Sequence, residues 1–297
     1  MINHKDEKTQ GFSIKADGIP VNLLSITTPP LAVLIKKPVY ELEALFQIMR
    51  RIQNEGLVDG FEFQNLAEWD VSGPPLDKAK FEFRIKNWKI CEKHNVVELA
   101  DKLKQSQLPI LSVHANRDVG ICLCSSNRRE ITRGEQLIHD SLRLAQEVSA
   151  EVCVFHLWDT WSKRFDPLQL KHTLDSISDE FSDVKAAVEN IPINLDNMTP
   201  FEVVKEFEWI TLDLRWAGMY NELHKFASVK HKIVNVHLRG RLETDQWVIH
   251  QSPFTLSEAL DLIRNEWRYH SLLTIEPEGG LKDAKWKNFA TALKDIR

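Results

Sequence analysis

The sequence predicts a (β/α)8 barrel, also called a TIM barrel. Three observations support this fold: eight short apolar runs, longer amphipathic stretches between them, and polar residues at the carboxyl end of nearly every run. The length of 297 residues is large for one ordinary domain but normal for such a barrel. A doubly wound open sheet is the alternative, and the count of eight favours the barrel.

The eight apolar runs are the predicted strands, and amphipathic segments between them have the three- and four-residue spacing of helices. Strands that alternate with helices indicate βαβ units and a parallel sheet. The predicted strands are Leu31–Ile35, Val58–Gln64, Pro109–Ala115, Val152–Trp158, Lys185–Ile191, Trp209–Leu214, Ile233–Leu238 and Leu272–Glu276. The predicted helices include Val39–Gln53, Glu130–Val148, Leu256–Arg264 and Asp283–Ile296. We expect one domain, with residues 1–28 as an N-terminal extension and residues 29–297 as the barrel.

Composition and charge narrow the class of protein. Hydrophobic residues make up 43% and charged residues 27%, which is a globular composition. The net charge of −5 gives no general attraction for phosphate backbones and argues against a nucleic-acid partner. The polar N-terminus does not resemble a signal peptide, and no run reaches the roughly 20 apolar residues of a membrane span. Four cysteines without metal-site spacing predict free thiols, so we expect a cytoplasmic protein without membrane association.

Four successive predicted strands end in a residue that binds hard metal ions: Glu189, Asp213, His237 and Glu276. Each one alone is more often a cap or a solvated group, but the carboxyl ends of barrel strands surround one pocket. Three carboxylates crowded there would repel one another, and a divalent cation would relieve that repulsion. Three oxygen ligands and one imidazole suit Mn²⁺, Mg²⁺, Co²⁺ or Zn²⁺. The sequence therefore predicts one divalent metal ion in this pocket.

Other side chains at the strand ends are candidates for contact with a substrate. Trp158 and Trp216 are candidates for the flat apolar walls of a sugar pocket, although ordinary packing is the more common role of a single tryptophan. Arg239 lies two residues after His237 and therefore points to the same face of the strand. It could bind a carboxylate or phosphate group, or it could pair with carboxylates of the pocket. The long connection Asn65–Asn87 is typical of a lid or a substrate-binding loop.

In the order of these features the chain resembles the xylose isomerase-like barrel superfamily, which includes sugar isomerases and epimerases, inosose dehydratases and apurinic endonucleases. The resemblance covers roughly residues 30–295 and rests on the order and spacing of motifs that are individually weak. The motifs are Gly60–Glu62, His114, His156, Glu189–Asn190, Asp213, His237 and Glu276.

The resemblance implies a divalent-metal-dependent isomerase or epimerase that acts on a small carbohydrate. Glu189 and Glu276 would both hold the metal and exchange protons with the substrate carbon, with Asp213 and His237 as further ligands. His114 and His156 match positions that contact substrate in the isomerases, and we include Glu62 with them. Members of the superfamily are often oligomers, so a homo-oligomer is one expectation.

The sequence departs from the superfamily at three places. Trp216 stands where an Asp-x-x-His motif has its histidine, and the segment after Glu189 lacks the second acidic residue of several epimerases. On the seventh strand Arg239 replaces the lysine and Gly240 the aspartate of a His-x-Lys-Asp motif. These changes keep the four metal ligands but remove ligands that a three-zinc endonuclease needs. A dehydratase, an endonuclease-like phosphodiesterase and a non-catalytic ligand-binding barrel remain the alternatives.

Overall fold

The computed structural model describes residues 13–14, 20–76 and 81–297, and it contains a closed barrel of eight parallel strands. The barrel strands are β1 (Leu23–Thr27), β2 (Gly60–Gln64), β3 (Ile110–His114), β4 (Val152–Phe155), β5 (Lys185–Glu189), β6 (Trp209–Asp213), β7 (Ile233–Glu243) and β8 (Leu272–Gly279). Each strand pairs with its neighbour in the chain, and β8 also pairs with β1, which closes the barrel. The predicted (β/α)8 fold is confirmed.

Helices connect the strands on the outside of the barrel. The α-helices are Leu42–Asn54, Phe81–Ile90, Val96–Ser106, Asp118–Leu123, Arg128–Glu147, Pro167–Ser178, Pro200–Val204, Leu214–Met219, Leu256–Asp261 and Trp286–Ile296. Two 3-10 helices span Pro29–Ile35 and Leu223–Lys232, and a π-helical turn spans Leu262–Glu266. Short antiparallel pairings join Gln246–Val248 to the end of β7, and Ser13–Ile14 to Pro20–Val21.

The first predicted strand is wrong. Leu31–Ile35 lies in the 3-10 helix Pro29–Ile35, because Pro29 fixes a helical φ and neither Pro29 nor Pro30 can donate to a ladder. The first strand is β1, which lies inside the predicted extension of residues 1–28, so the barrel begins earlier than residue 29. Residues 1–12 and 15–19 of that extension lie outside the described residues.

The interior of the barrel contains a chain of hydrogen-bonded polar side chains. The hydroxyl groups of Ser25 and Thr274 are 2.7 Å apart, and Thr274 donates to Asn235 Oδ1 at 2.8 Å. Asn235 Nδ2 and Ser112 Oγ both donate to Glu62 Oε2, at 3.0 and 2.9 Å. We call these five residues the lower layer, since they lie one inward-facing position before the strand ends. The apolar core lies instead between the strands and the helices.

The connection after β2 is anchored to the body of the protein where the structure describes it. Trp69 is fully buried and donates its indole N–H to the Tyr40 carbonyl. Asp70 accepts a hydrogen bond from Arg133 at 2.7 Å, and its carbonyl accepts the indole N–H of Trp88. Residues 77–80 of this predicted lid lie outside the described residues. The described part of the connection is therefore held to the rest of the protein by these hydrogen bonds.

All four cysteines are free thiols, as the sequence predicts. Burial raises the pKa of Cys122 to about 12 and that of Cys124 to about 11, so neither is an activated nucleophile. Within the part of the chain that the structure describes, no helix is both long enough and apolar enough to cross a bilayer.

Candidate metal centre

The structure brings the four predicted metal ligands together at the carboxyl end of the barrel. Glu189 and Asp213 are the last residues of β5 and β6, and His237 and Glu276 lie within β7 and β8. Each residue offers one ligand atom, and these atoms lie within 4.8 Å of one another. Glu189, Asp213 and His237 are fully buried. Four charged or basic groups at this spacing and burial require mutual compensation.

In each of these four residues, one atom is engaged and another buried atom has no hydrogen-bond partner. The engaged atoms are Glu189 Oε2, Asp213 Oδ1, His237 Nε2 and Glu276 Oε1. The unpartnered atoms are Glu189 Oε1, Asp213 Oδ2, His237 Nδ1 and Glu276 Oε2. Two of these atoms, His237 Nδ1 and Glu276 Oε2, lie 3.3 Å apart without forming a hydrogen bond. Buried polar atoms are normally satisfied, so four such atoms in one cluster need an explanation. A divalent cation bound by three oxygens and one nitrogen provides it, and the residues fit such an ion.

The pKa values of the cluster show how its charges compensate one another without a metal ion. Burial raises the pKa of Asp213 well above its usual value; Arg239 opposes this shift, while Glu189 adds to it. Burial also acts to raise the pKa of Glu276, but Arg239 outweighs it and lowers that pKa to about 2. For Glu189, His156 and His237 outweigh burial and lower the pKa well below the usual range.

His237 is oriented by Glu62. Its Nε2 lies 3.1 Å from Glu62 Oε2, which can only accept, so Nε2 carries the proton and Nδ1 faces the cluster. Burial acts to lower the pKa of His237, but Glu62 and Glu189 outweigh it and raise that pKa well above its usual value. Metal-binding histidines commonly donate their second ring N–H to a carboxylate in this way. The sequence suggested Glu62 as a substrate contact, and the structure places it fully buried beneath His237.

His114 and His156 lie beside Glu189 and form a second group with it. His156 Nε2 is 3.0 Å from Glu189 Oε2, and His114 Nε2 is 3.5 Å from the same oxygen. His114 donates its Nδ1–H to the Ala115 carbonyl at 3.1 Å. Burial outweighs Glu189 and lowers the pKa of His156, so this ring is neutral and donates to the carboxylate.

Arg239, on β7, and Trp216, which follows β6, lie next to the four prospective metal ligands. Arg239 donates to Glu276 Oε1 at 2.8 Å, and its guanidinium is 3.8 Å from Asp213 and 3.5 Å from Glu278. Trp216 contacts two guanidinium groups, those of Arg239 and Arg215, which lie 4.9 and 4.7 Å from its ring centroid. The sequence leaves two alternatives for Arg239, binding of a ligand group or pairing with carboxylates of the pocket, and the structure shows the pairing.

Trp158 is packed in the wall of the barrel mouth. It is 2% exposed, donates its indole N–H to the Pro192 carbonyl and stacks on Phe165 with ring centroids 6.2 Å apart. It therefore offers little surface to a ligand.

Several supporting residues do not follow from the sequence interpretation. Asn190 accepts from the Asp213 backbone N–H at 2.6 Å and donates to the Asp213 carbonyl at 3.1 Å, which fixes the end of β6 beside β5. Ser112, Asn235 and Thr274 support the site from the lower layer. Each lies two residues before a site residue on its own strand, so the alternation of strand faces is the signal that could have found them.

These features define the class of the fold: a (β/α)8 barrel with a carboxylate-rich centre at the carboxyl ends of its strands. No model of a known protein family matches the sequence, and no curated protein matches it.

Three solved structures that share the fold are sugar isomerases or epimerases by name. A sugar phosphate isomerase/epimerase from Parabacteroides distasonis matches with a TM-score of 0.61 at 11% identity, over 98% of this chain and 97% of that one. L-ribulose 3-epimerase matches with a TM-score of 0.60 at 14% identity, over 93% and 92%. D-psicose 3-epimerase from Clostridium cellulolyticum, solved with D-tagatose, matches with a TM-score of 0.59 at 11% identity, over 92% and 97%. At these identities the likeness establishes the fold.

Proposed function

We propose that the protein is a divalent-metal-dependent sugar isomerase or epimerase that transfers a proton at a carbon next to a carbonyl group. The observation that carries this proposal is the set of four unpartnered ligand atoms on Glu189, Asp213, His237 and Glu276. The names of the structures with the same fold, which include sugar epimerases, support it.

All four residues of the cluster would hold the ion, and two of them, Glu189 and Glu276, would also transfer the proton. The ion, when bound, stabilises negative charge on a substrate oxygen. Glu189 is the candidate proton acceptor, since its carboxylate is oriented by the donor His156 at 3.0 Å. Glu276 is the candidate for the second proton transfer, and Arg239 fixes its Oε1. His114 and His156 line the Glu189 side, where they can contact substrate hydroxyl groups.

The charges around the cluster favour a neutral sugar over a sugar phosphate. Arg239 pairs with Glu276 and Glu278, and Arg215 pairs with Glu278. A phosphate group is bound best by guanidinium groups that are not already engaged. Both arginines of this cluster have carboxylate partners, so a phosphate would have to displace them.

The test is solvent exchange. Purified protein loaded with Mn²⁺ is incubated in D₂O with a panel of unphosphorylated ketoses and aldoses, and NMR detects deuterium on the carbon next to the carbonyl. We expect metal-dependent deuterium incorporation into an isomer or epimer, and its loss on chelation. A product that has also lost water would identify a dehydratase instead.

The matched control is Glu180→Gln, which removes an exposed carboxylate from the connection that precedes β5 and leaves the cluster intact. Exchange should survive in this variant and disappear in Glu189→Gln. Absence of divalent-metal binding in the wild-type protein would reject the proposal, as would exchange that continues at the wild-type rate in Glu189→Gln.

A further inference from the structure

We propose that Arg239 is a built-in counter-cation that weakens divalent-metal binding at the cluster of Glu189, Asp213, His237 and Glu276. The inference rests on the metal site of the proposed function and adds a property of that site. Arg239 acts through the ligands and is therefore a positioning residue.

The contacts of Arg239 place a permanent positive charge against two prospective metal ligands. Its Nη1 donates to Glu276 Oε1 at 2.8 Å and lies 3.8 Å from Asp213 Oδ2, an atom with no hydrogen-bond partner. Its side chain is 12% exposed, so solvent screens these interactions poorly. A divalent ion that binds Asp213 Oδ2 and Glu276 Oε2 must approach this guanidinium closely.

The charge of Arg239 has two opposite effects on a metal ion. It compensates carboxylate charge before the ion arrives, and it repels the ion afterwards; both effects weaken binding. It also fixes Glu276 in position, which would strengthen binding. Asp213 and Glu189 are held by other partners, namely the Trp216 backbone N–H and His156, so the positioning role of Arg239 is limited to one ligand of four. The net effect of Arg239 is therefore to weaken metal binding, because the repulsion outweighs the positioning of one ligand.

Arg215 provides a matched comparison within the same cluster. Its guanidinium lies 4.7 Å from the Trp216 ring centroid, and its hydrogen-bond partners are Glu278 and Gln251. Arg215 and Arg239 thus share an aromatic neighbour and a carboxylate partner. They differ in that Arg239 alone of the two contacts Asp213 and Glu276.

The experiment measures the Kd for Mn²⁺ by titration calorimetry at one fixed pH, together with the shift in Tm that Mn²⁺ produces. The variants are Arg239→Met and Arg239→Gln, which remove the charge, Arg239→Lys, which keeps it, and Arg215→Met as the control. We expect both neutral Arg239 variants to bind Mn²⁺ at least roughly tenfold more tightly, with a larger Tm shift. Arg239→Lys and Arg215→Met should stay within about threefold of the wild type.

Two results would overturn the inference. Equal or weaker Mn²⁺ binding in a neutral Arg239 variant with native circular dichroism would show that the fixing of Glu276 dominates. Tighter binding in Arg215→Met of the same size would show a general effect of charge near the barrel mouth. Arg239→Met and Arg239→Gln are both made so that the test can still be carried out if one of them fails to fold. Lack of Mn²⁺ binding by the wild type is a separate result that rejects the proposed function itself.

Discussion

Two layers of polar side chains occupy the barrel interior, and they are satisfied in different ways. In the lower layer, Glu62 Oε2 accepts from the neutral donors Ser112 and Asn235, and Asn235 in turn accepts from Thr274. The mouth layer consists of the site residues at the carboxyl ends of the strands: His114, His156, Glu189, Asp213, His237 and Glu276. In this layer, Glu189 Oε2 faces the imidazoles of His156, His114 and His237 at 3.0, 3.5 and 3.4 Å. Neutral groups of the lower layer fix positions, whereas titratable groups of the mouth layer leave atoms available for an ion and a proton.

Removal of one mouth-layer ligand should have the largest effect. Glu189→Gln replaces a carboxylate oxygen of the cluster by an amide, so we expect at least about 100-fold weaker Mn²⁺ binding and roughly 10³-fold slower turnover. Calorimetry and the deuterium-exchange assay measure the two effects. A variant that binds Mn²⁺ as the wild type does would remove Glu189 from the ligand set.

A change of Glu62, the carboxylate of the lower layer, should have the next largest effect. Glu62→Gln leaves every mouth-layer ligand in place but removes the carboxylate that orients His237. We expect metal affinity to fall about 10- to 100-fold, the range typical of such supporting partners. Equilibrium dialysis against Mn²⁺ measures it. Unchanged affinity would show that the β7 backbone alone orients the imidazole.

The mouth layer should also respond to pH. Asp213 and His237 have raised pKa values in the metal-free protein, so protons compete with a metal ion for both residues. Metal affinity should therefore rise with pH, by about three- to tenfold per unit through the neutral range. Calorimetry in two buffers of different ionisation enthalpy counts the protons released. Affinity that is independent of pH, or that falls as pH rises, would contradict these charge states.

A neutral substitution in the lower layer should have the smallest effect. Ser112→Ala removes one of three hydrogen bonds to Glu62 Oε2, since Asn235 and His237 remain. We expect a loss of about 1 kcal/mol in the free energy of unfolding, measured by urea denaturation. Metal affinity should stay within about threefold. A larger loss of affinity would mean that the two layers act as one unit.

The sequence predicts seven of the eight strands because their apolar residues are consecutive, as expected when both faces of a strand are covered. It misses β1 because Ser25 and Thr27 interrupt the apolar pattern of that strand. The interruption has a function in the structure, since Ser25 joins the lower layer through Thr274. The apolar run Leu31–Ile35 was the stronger signal, and the two prolines before it turn that run into a 3-10 helix.

The four prospective ligands are predictable because each lies at or near the carboxyl end of a predicted strand, in a fold whose strand ends converge. Their partners depend on distances between strands that are far apart in the sequence. Glu62 and His237 are separated by 175 positions, and Arg239 and Glu276 by 37. An arginine at position 239 binds either a ligand or a neighbouring carboxylate, depending on distances of a few ångströms. The alternation of strand faces does not determine those distances.

Asn190 shows how one side chain can extend a parallel sheet. The pairing of β5 with β6 ends at Glu189 and Thr211, and beyond it the Asn190 amide takes both the N–H and the carbonyl of Asp213. The side chain thus replaces a rung of the backbone ladder where the strands begin to separate. The consecutive pair Glu189 and Asn190 therefore acts as a single unit, in which the first residue supplies a ligand and the second holds the next strand's ligand in register.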